Sequence, residues 1–239
     1  MINKKSYGSF CFFLVKYLWG KDMEKIVIFD WGGVILKEYP AHYCDRDAIV
    51  DSIIYFDEDY TAEDAYKLYL NTLCDFDDNY ICMYDDYENK YKWFDRLKTK
   101  GEVKNINYDD FIKVFRNNYL KIDKYEDVVN YIYSLKGKCH LCLFTDLIFT
   151  CYDALCKQID LDVFDDVFLS FKDHFTKRNV DAYKYVLDSL GCSSSDILFI
   201  DNNIDNINKA ESLGWNVVYA NGLELDMIKE KVSSFLGEW

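Results

Sequence analysis

Proline is almost missing from this chain, which has one proline and ten glycines among its 239 residues. Half of the residues are apolar, and a composition of that kind supplies enough apolar surface to form a buried core. The sequence therefore excludes a disordered or low-complexity protein. Its length fits one large domain or a core with an insertion.

Positive charge is also scarce, because 28 lysines and arginines face 42 aspartates and glutamates and leave a net charge of −14. Such a surface repels nucleic acid and anionic membranes, so we expect neither as a partner. Local cations or a metal can still reverse the sign inside a pocket, and a small anionic substrate therefore remains possible. The oligomeric state is not readable from these numbers.

The nine cysteines are an odd number and lie scattered along the chain. This pattern predicts reduced thiols in a cytoplasmic protein, with neither a disulfide framework nor a zinc site.

The first 22 residues differ from the rest of the sequence. Lys4 and Lys5 precede an apolar stretch of ten residues, Phe10–Trp19, which Lys16 interrupts. About 20 apolar residues are needed to span a bilayer, so this stretch is too short. We interpret residues 1–22 as an N-terminal extension. A weak membrane-surface anchor is the alternative.

Residues 25–36, KIVIFDWGGVIL, carry an apolar run that leads into Asp30 and is broken by Gly32 and Gly33. A short run of β-branched and aromatic residues closed by glycines predicts a buried strand that ends in a tight loop. In parallel sheets, ligands bind at the carboxyl ends of the strands, where Asp30 would lie. The alternative is an aspartate that only caps the next turn.

Residues 38–121 are rich in Tyr, Asp and Lys, and their apolar residues recur at helical spacing. Helices are predicted over Asp45–Phe56, after a capping box at Thr61, over about Tyr80–Leu97, and after Asn107 as N-cap. The segment predicts a helical insertion of four or five helices after the first strand.

Strands and helices alternate from Asp123 to the end of the chain. Strands are predicted over 139–145, 167–170, 197–201 and 216–220, and helices over 125–135, 148–159, 180–190, 203–213 and 224–236. Apolar runs between amphipathic helices indicate parallel strands covered on both faces. The sequence thus predicts an α/β fold with a Rossmann-like parallel sheet, formed by residues 23–37 and 122–239, and an inserted α-helical cap domain over residues 38–121.

Polar residues follow four of the predicted strands, and a loop after the third brings a lysine. They are Asp30, Thr145, Asp146, Ser170, Lys177, Asp201 and Asn202. Because strand ends of a parallel sheet converge at one edge, we expect these residues to share a pocket. The alternatives are a solvated lysine at position 177 and an ordinary strand-end threonine at position 145.

The order of these segments resembles the haloacid dehalogenase superfamily, whose members are mostly phosphatases. Four segments carry the resemblance: FDWGGVIL (29–36), LCLFTD (141–146), SFKDHFTKRNVDAYKYVL (170–187) and LFIDNNIDNINKAESLGW (198–215). The helical insertion also has the position of the family's commonest cap.

The resemblance implies a phosphatase whose catalytic residues are Asp30, Thr145 and Lys177. Asp30 would be the nucleophile that forms an aspartyl-phosphate. Thr145, Asp146 and Lys177 would bind the phosphorylated substrate, with the hydroxyl and the ammonium on the phosphoryl oxygens.

The resemblance also implies Mg²⁺ as the cofactor, since this hard cation prefers oxygen ligands. Its ligands would be Asp30, Asp201 and the carbonyl of Gly32. Asp205 would contact the metal through water or through another ligand.

The sequence departs from the family pattern at several positions. Gly32 occupies the place of a second aspartate that acts as general acid and base in most family phosphatases. Asp146 replaces an asparagine and adds negative charge near the phosphate, Arg178 replaces a proline, and Asn202 replaces an aspartate. His42 and His174 are interpreted as ordinary loop histidines, not as replacements for the missing acid.

Three functions are compatible with this sequence. The first is a Mg²⁺-dependent phosphatase of small phosphomonoesters such as sugar phosphates or nucleotides. The second keeps the nucleophile but attacks carbon, as 2-haloacid dehalogenases do without a metal. The third is a non-catalytic protein that binds a phosphorylated ligand.

Overall fold

The computed structural model describes residues 25–38, 44–73, 94–95, 97–98, 107–147 and 149–237. The predicted extension over residues 1–22 lies outside this part of the chain, as does most of the predicted helical stretch Tyr80–Leu97.

Five short strands form one parallel sheet in the order β3-β2-β1-β4-β5. They are β1 (Ile26–Phe29), β2 (His140–Thr145), β3 (Asp166–Leu169), β4 (Ile197–Asp201) and β5 (Asn216–Tyr219). The central strand β1 pairs with β2 on one side and with β4 on the other. The chain builds outward through β2 and β3 and then crosses back to β4. The strand order therefore reverses beside β1, which is where open sheets of this kind bind ligands.

Both faces of the sheet are covered, as the predicted α/β fold requires. Val27 and Phe29 belong to one buried cluster, and Ile26 and Ile28 belong to a second cluster on the opposite face. This alternation explains why β1 is a continuous apolar run, since successive side chains of a strand point to opposite faces.

The helices between and after the later strands fall where the sequence predicts them, within a residue or two. They are α4 (Glu126–Leu135), α5 (Phe149–Gln158), α7 (Val180–Leu190), α8 (Ile204–Ser212) and α9 (Leu225–Leu236). The short helix α6 (Ser170–Asp173) was not predicted. The one difference in kind is Ser170, which begins the short helix α6 and is not the last residue of β3.

Among the described residues between β1 and α4, three complete helices are present: α1 (Asp45–Phe56), α2 (Ala62–Leu73) and α3 (Tyr108–Tyr119). Ile49 and Ile53 of α1 and Phe111 and Phe115 of α3 are buried in the same cluster as Val34, which lies in the loop after β1. The helical spacing of these residues thus docks the insertion against the segment that follows Asp30.

Both ends of the insertion are joined by a short antiparallel pairing. Leu36 pairs with Lys124. On either side of this pair, the amide of Lys37 donates to the carbonyl of Asp123, and the amide of Tyr125 donates to the carbonyl of Ile35. Both hydrogen bonds span 2.9 Å. We call residues 35–37 and 123–125 the neck. The predicted domain boundaries at 37/38 and 121/122 fall beside it.

The six cysteines among the described residues are thiols and not disulfides. Cys139 and Cys142 have the C-x-x-C spacing that elsewhere forms redox or metal sites. Here they lie in different clusters on opposite faces of the sheet, because positions three apart in an extended segment point in opposite directions. Within the described residues, no helix is both long and apolar enough to cross a membrane.

Asn107 caps α3 as predicted, since its side-chain oxygen accepts a hydrogen bond from the amide of Asp110 over 2.9 Å. We expect Asn107→Ala to lower the free energy of unfolding by about 1 kcal/mol, because that amide loses its partner. Urea unfolding followed by circular dichroism measures the change. Asn208→Ala, at an exposed interior position of α8, is the control and should leave stability unchanged or slightly raised. Equal losses in both variants would contradict the capping role.

Candidate active site

Two buried carboxylates stand at the carboxyl ends of neighbouring strands. Asp30 follows β1 directly, and its amide continues the ladder by donating to the carbonyl of Ile200 over 3.0 Å. Asp201 is the last residue of β4 and is fully buried, while Asp30 is nearly so. The sequence prediction that these strand ends meet at one edge is matched by their positions.

A single buried ammonium group joins the two carboxylates. Lys177 Nζ lies 2.7 Å from Asp30 Oδ1 and 2.6 Å from Asp201 Oδ2. It also donates to the carbonyl of Phe144 over 3.3 Å. The alternative of a solvated surface lysine does not describe this residue, which is 3% exposed.

The charges in this cluster do not balance, since one ammonium faces two carboxylates. Burial, followed by repulsion from Asp201, raises the pKa of Asp30 from 3.8 to about 8. Burial acts to lower the pKa of Lys177, but the carboxylates of Asp30 and Asp201 outweigh it and raise that pKa above its ordinary value. The cluster therefore favours one more positive charge close to the carboxylates.

Asp146 holds the backbone of the lysine loop. Its carboxylate accepts the amide of Lys177 over 3.0 Å and the hydroxyl of Thr176 over 3.1 Å. Burial raises the pKa of Asp146, while Lys177 and these hydrogen bonds act in the opposite direction. The replacement of asparagine by aspartate thus does more than add charge near a phosphate, since it fixes the segment that carries the ammonium.

Thr145 lies buried at the end of β2 and lines the same cavity as Asp30 and Lys177. Its hydroxyl donates to the carbonyl of Asp146 over 3.2 Å. Ser170 is turned away from this group, because its hydroxyl exchanges hydrogen bonds with the backbone of Leu147.

The loop after Asp30 leaves room for a carboxylate that the sequence analysis did not identify. A Cβ atom added to Gly32 would lie only 2.7 Å from Glu38 Oε1. Glu38 Oε2 accepts a hydrogen bond from Asn202 Nδ2 over 2.9 Å. Gly33 has φ +71°, and a Cβ there would lie 1.9 Å from Asn202 Nδ2, so this position requires glycine. The glutamate carboxylate therefore occupies the space into which a side chain at position 32 would extend.

Asp205 does not join the carboxylate pair. It is exposed on the first turn of α8, and the cavity is lined by Asn203 and Asn206 instead. Asp201 accepts the amide of Asn203 over 2.7 Å and the side-chain amide of Asn206 over 3.1 Å. The N-cap and the third helical position face the strand end, whereas the second, Asp205, faces away. The sequence feature that indicates Asn206 is thus its position in the helix, one residue after Asp205.

Asp30, Thr145 and Lys177 line one cavity of about 350 Å³, a size that fits a small ligand. Its lining also contains the neighbouring polar groups of Glu38, Asp146, Asn202, Asn203 and Asn206. Its floor is polar, and α2 and α3 add Tyr69, Phe115 and Tyr119 to its walls. Arg178 also lines it, which places a second cation near Lys177. His174 is exposed and does not line the cavity, and His42 lies outside the described residues.

The donor set suits a hard divalent cation. Asp30 and Asp201 offer carboxylate oxygens, Gly32 lies in the same cavity lining, and Asn206 adds a side-chain amide beside Asp201. Oxygen ligands of this kind bind Mg²⁺. The excess of negative charge described above is what such an ion would neutralise.

The chain resembles solved structures of known fold. A HAD family enzyme from Bacteroides thetaiotaomicron, in complex with magnesium and inorganic phosphate, has a TM-score of 0.62 at 15% identity, over 83% of this chain and 95% of that chain. A predicted HAD-like hydrolase from Porphyromonas gingivalis has a TM-score of 0.66 at 17% identity, over 88% and 98%. An L-2-haloacid dehalogenase from Xanthobacter autotrophicus, with chloropropionic acid covalently bound, has a TM-score of 0.53 at 15% identity, over 82% and 76%.

At these identities the structural matches show the fold alone. No curated protein matches the sequence. The family model for haloacid dehalogenase-like hydrolases matches residues 24–214, which include every residue of the cluster around Lys177. The chain therefore belongs to the haloacid dehalogenase-like hydrolases.

Proposed function

We propose that this hydrolase is a Mg²⁺-dependent phosphatase of small phosphomonoesters, with sugar phosphates and nucleotides as the substrate classes to test first. The observation that carries the proposal is the buried group in which Lys177 contacts both Asp30 and Asp201. A nucleophilic carboxylate, a cation beside it and a second carboxylate for a metal are what phosphoryl transfer through an aspartyl-phosphate requires.

In the first step, an Asp30 oxygen attacks the phosphorus, and the bond from phosphorus to the leaving oxygen breaks. The Thr145 hydroxyl and the Lys177 ammonium hold the phosphoryl oxygens and stabilise the charge that develops on them. In the second step, water attacks the phosphorus of the aspartyl-phosphate, and Asp30 is regenerated as a carboxylate. Asp146 contributes by holding the amide of Lys177, so that the ammonium does not need to be ordered during the reaction.

Asp30, Asp201 and the carbonyl of Gly32 would hold the Mg²⁺, with Asn206 in the outer position for which the sequence suggested Asp205. The ion supplies charge neutralisation at the phosphoryl oxygens and reduces the repulsion between the carboxylates.

Glu38 is proposed as the general acid and base that Gly32 cannot provide. Its carboxylate lies where a side chain at position 32 would extend, and Asn202 orients it. In the first step Glu38 gives a proton to the leaving oxygen, and in the second it accepts one from the attacking water. The chain thus retains an acid near the nucleophile although the usual position is a glycine.

The helices α1, α2 and α3 are proposed to act as the cap. Tyr69, Phe115 and Tyr119 would cover the substrate above the carboxylates and keep bulk water out.

Asp30→Asn should lower phosphate release by at least about 10³-fold, because the amide is a poor nucleophile. The measurement is phosphate release from a panel of sugar phosphates, nucleotides and aryl phosphates in the presence of Mg²⁺. EDTA should abolish the wild-type activity, and added Mg²⁺ should restore it.

Two outcomes would replace this proposal. Thermal stabilisation by phosphorylated compounds without any turnover above the Asp30→Asn background would indicate a non-catalytic binding protein. Chloride release from 2-haloacids that resists EDTA, without phosphate release, would indicate a dehalogenase.

Glu38→Gln should lower kcat by about 10²- to 10⁴-fold for alkyl phosphates, whose leaving oxygen needs a proton. The loss should be much smaller for p-nitrophenyl phosphate, because its leaving group departs as a stable anion. Initial rates over a series of leaving-group pKa values measure this dependence. Glu211→Gln, an exposed glutamate on α8, is the matched control and should keep wild-type kinetics. An equal loss for all leaving groups in Glu38→Gln would contradict proton transfer by Glu38.

A further inference from the structure

A second group of potential metal ligands lies at the opposite end of the strands from Asp30. His140 and Cys142 are two residues apart at the start of β2, so their side chains share one face of the sheet. Asp166, the first residue of β3, is the register partner of Cys142 and therefore lies on that face too. Three side chains that can ligate a metal thus lie together in the fold, although they do not form one motif in the sequence.

The distances within this group are short enough for one ion. His140 Nε2 lies 2.7 Å from Asp166 Oδ2. One ligand atom each from His140, Cys142 and Asp166 lie within 4.8 Å of one another. Ligands on a tetrahedral zinc ion, with bonds of about 2.0–2.3 Å, are separated by roughly 3.3–3.7 Å. The imidazole and carboxylate atoms, now 2.7 Å apart, would have to separate by at least about 0.6 Å to admit the ion.

A second thiol, Cys192, lies near this group but is not one of its three ligands. Cys192 follows α7 and packs against the same buried cluster that contains Cys142. It is close enough to Cys142 to contribute, after burial and the carboxylates of Asp166 and Asp165, to the raised pKa of the Cys142 thiol. Cys139 takes no part, because it lies on the other face of the sheet.

Access to this group is open on one side. Cys142 is fully buried, whereas the side chains of His140 and Asp166 are 25% and 49% exposed. An ion can therefore enter from solvent and reach the buried sulfur. Three residue steps of β2, about 10 Å in all, separate Cys142 from Thr145 at the active site, and five steps, about 17 Å, separate His140 from it.

We propose that His140, Cys142 and Asp166 form a zinc site that is independent of the active site. Thiolate, imidazole and carboxylate together are a donor set that selects Zn²⁺ over Mg²⁺. Binding displaces the proton from the Cys142 thiol, and the positive ion takes the place of this proton. The site joins β2 and β3, and its role is to hold these two strands together.

Cobalt(II) titration tests the site, because Co²⁺ bound to thiolate has charge-transfer and visible absorption bands that Co²⁺ bound only to oxygen lacks. The full chain, reduced and freed of metal, is titrated in excess Mg²⁺ so that the active-site carboxylates are occupied. We expect one equivalent of Co²⁺ to give thiolate bands, and one equivalent of Zn²⁺ to remove them. Zn²⁺ should also raise the thermal midpoint.

His140→Gln and Cys142→Ala should each weaken Co²⁺ binding by at least about 10-fold. Cys151→Ala is the matched control, since Cys151 is a buried thiol that lines the active-site cavity, and it should retain the bands. His140→Gln removes a partly exposed ligand without a buried cavity, so it remains informative if Cys142→Ala is poorly folded. The proposal is overturned if the wild type shows no thiolate bands or if His140→Gln keeps wild-type affinity. Loss of the bands in Cys151→Ala alone would place the ion in the active-site cavity and would also overturn it.

Discussion

The candidate active site depends on one buried ammonium group shared by two carboxylates. Asp30 and Asp201 lie side by side because β1 and β4 are neighbours at the point where the strand order reverses. Without Lys177 these carboxylates would repel each other in a region with little water. The surrounding contacts serve this arrangement, since Asp146 fixes the lysine loop and Asn206 donates to Asp201. The same excess of negative charge that makes the group costly to bury gives it an attraction for a divalent cation.

Much of this arrangement was predictable from sequence, because it follows from periodicity and strand ends. Asp30, Thr145 and Asp201 are each preceded by a strong apolar run, and parallel strands bring such ends together. The helices α1 and α3 were predicted from apolar spacing and from the Asn107 cap. These patterns involve residues that are close together in the chain, so they can be read from a single sequence.

The remaining parts depend on contacts that no local signal encodes. Glu38 reaches the space beside Gly32 because the chain turns back after Gly33. Asn206, and not Asp205, contacts Asp201, because a shift of one residue along the helix turns the side chain toward the strand end. The cluster of His140, Cys142 and Asp166 needs the register of β2 on β3, which the sequence pattern leaves open. In each case the sequence contains the carboxylate, amide or thiol, but it does not give the direction in which that side chain points.

The neck has a consequence for the timing of the reaction. It ends at Lys37, so Glu38 is the first residue on the side of the insertion, whereas Asp30 stays with the sheet. A rotation of the helices about the neck would therefore have to break the hydrogen bond from Asn202 to Glu38 before the glutamate could move relative to Asp30. In the proposed phosphatase, the neck would then act as a hinge. Glu38 would reach the leaving oxygen only after the helices have closed the cavity around a ligand. In the proposed phosphatase, an open chamber would leave Asp30 in place without its proton donor, and this would limit the hydrolysis of other phosphorylated compounds.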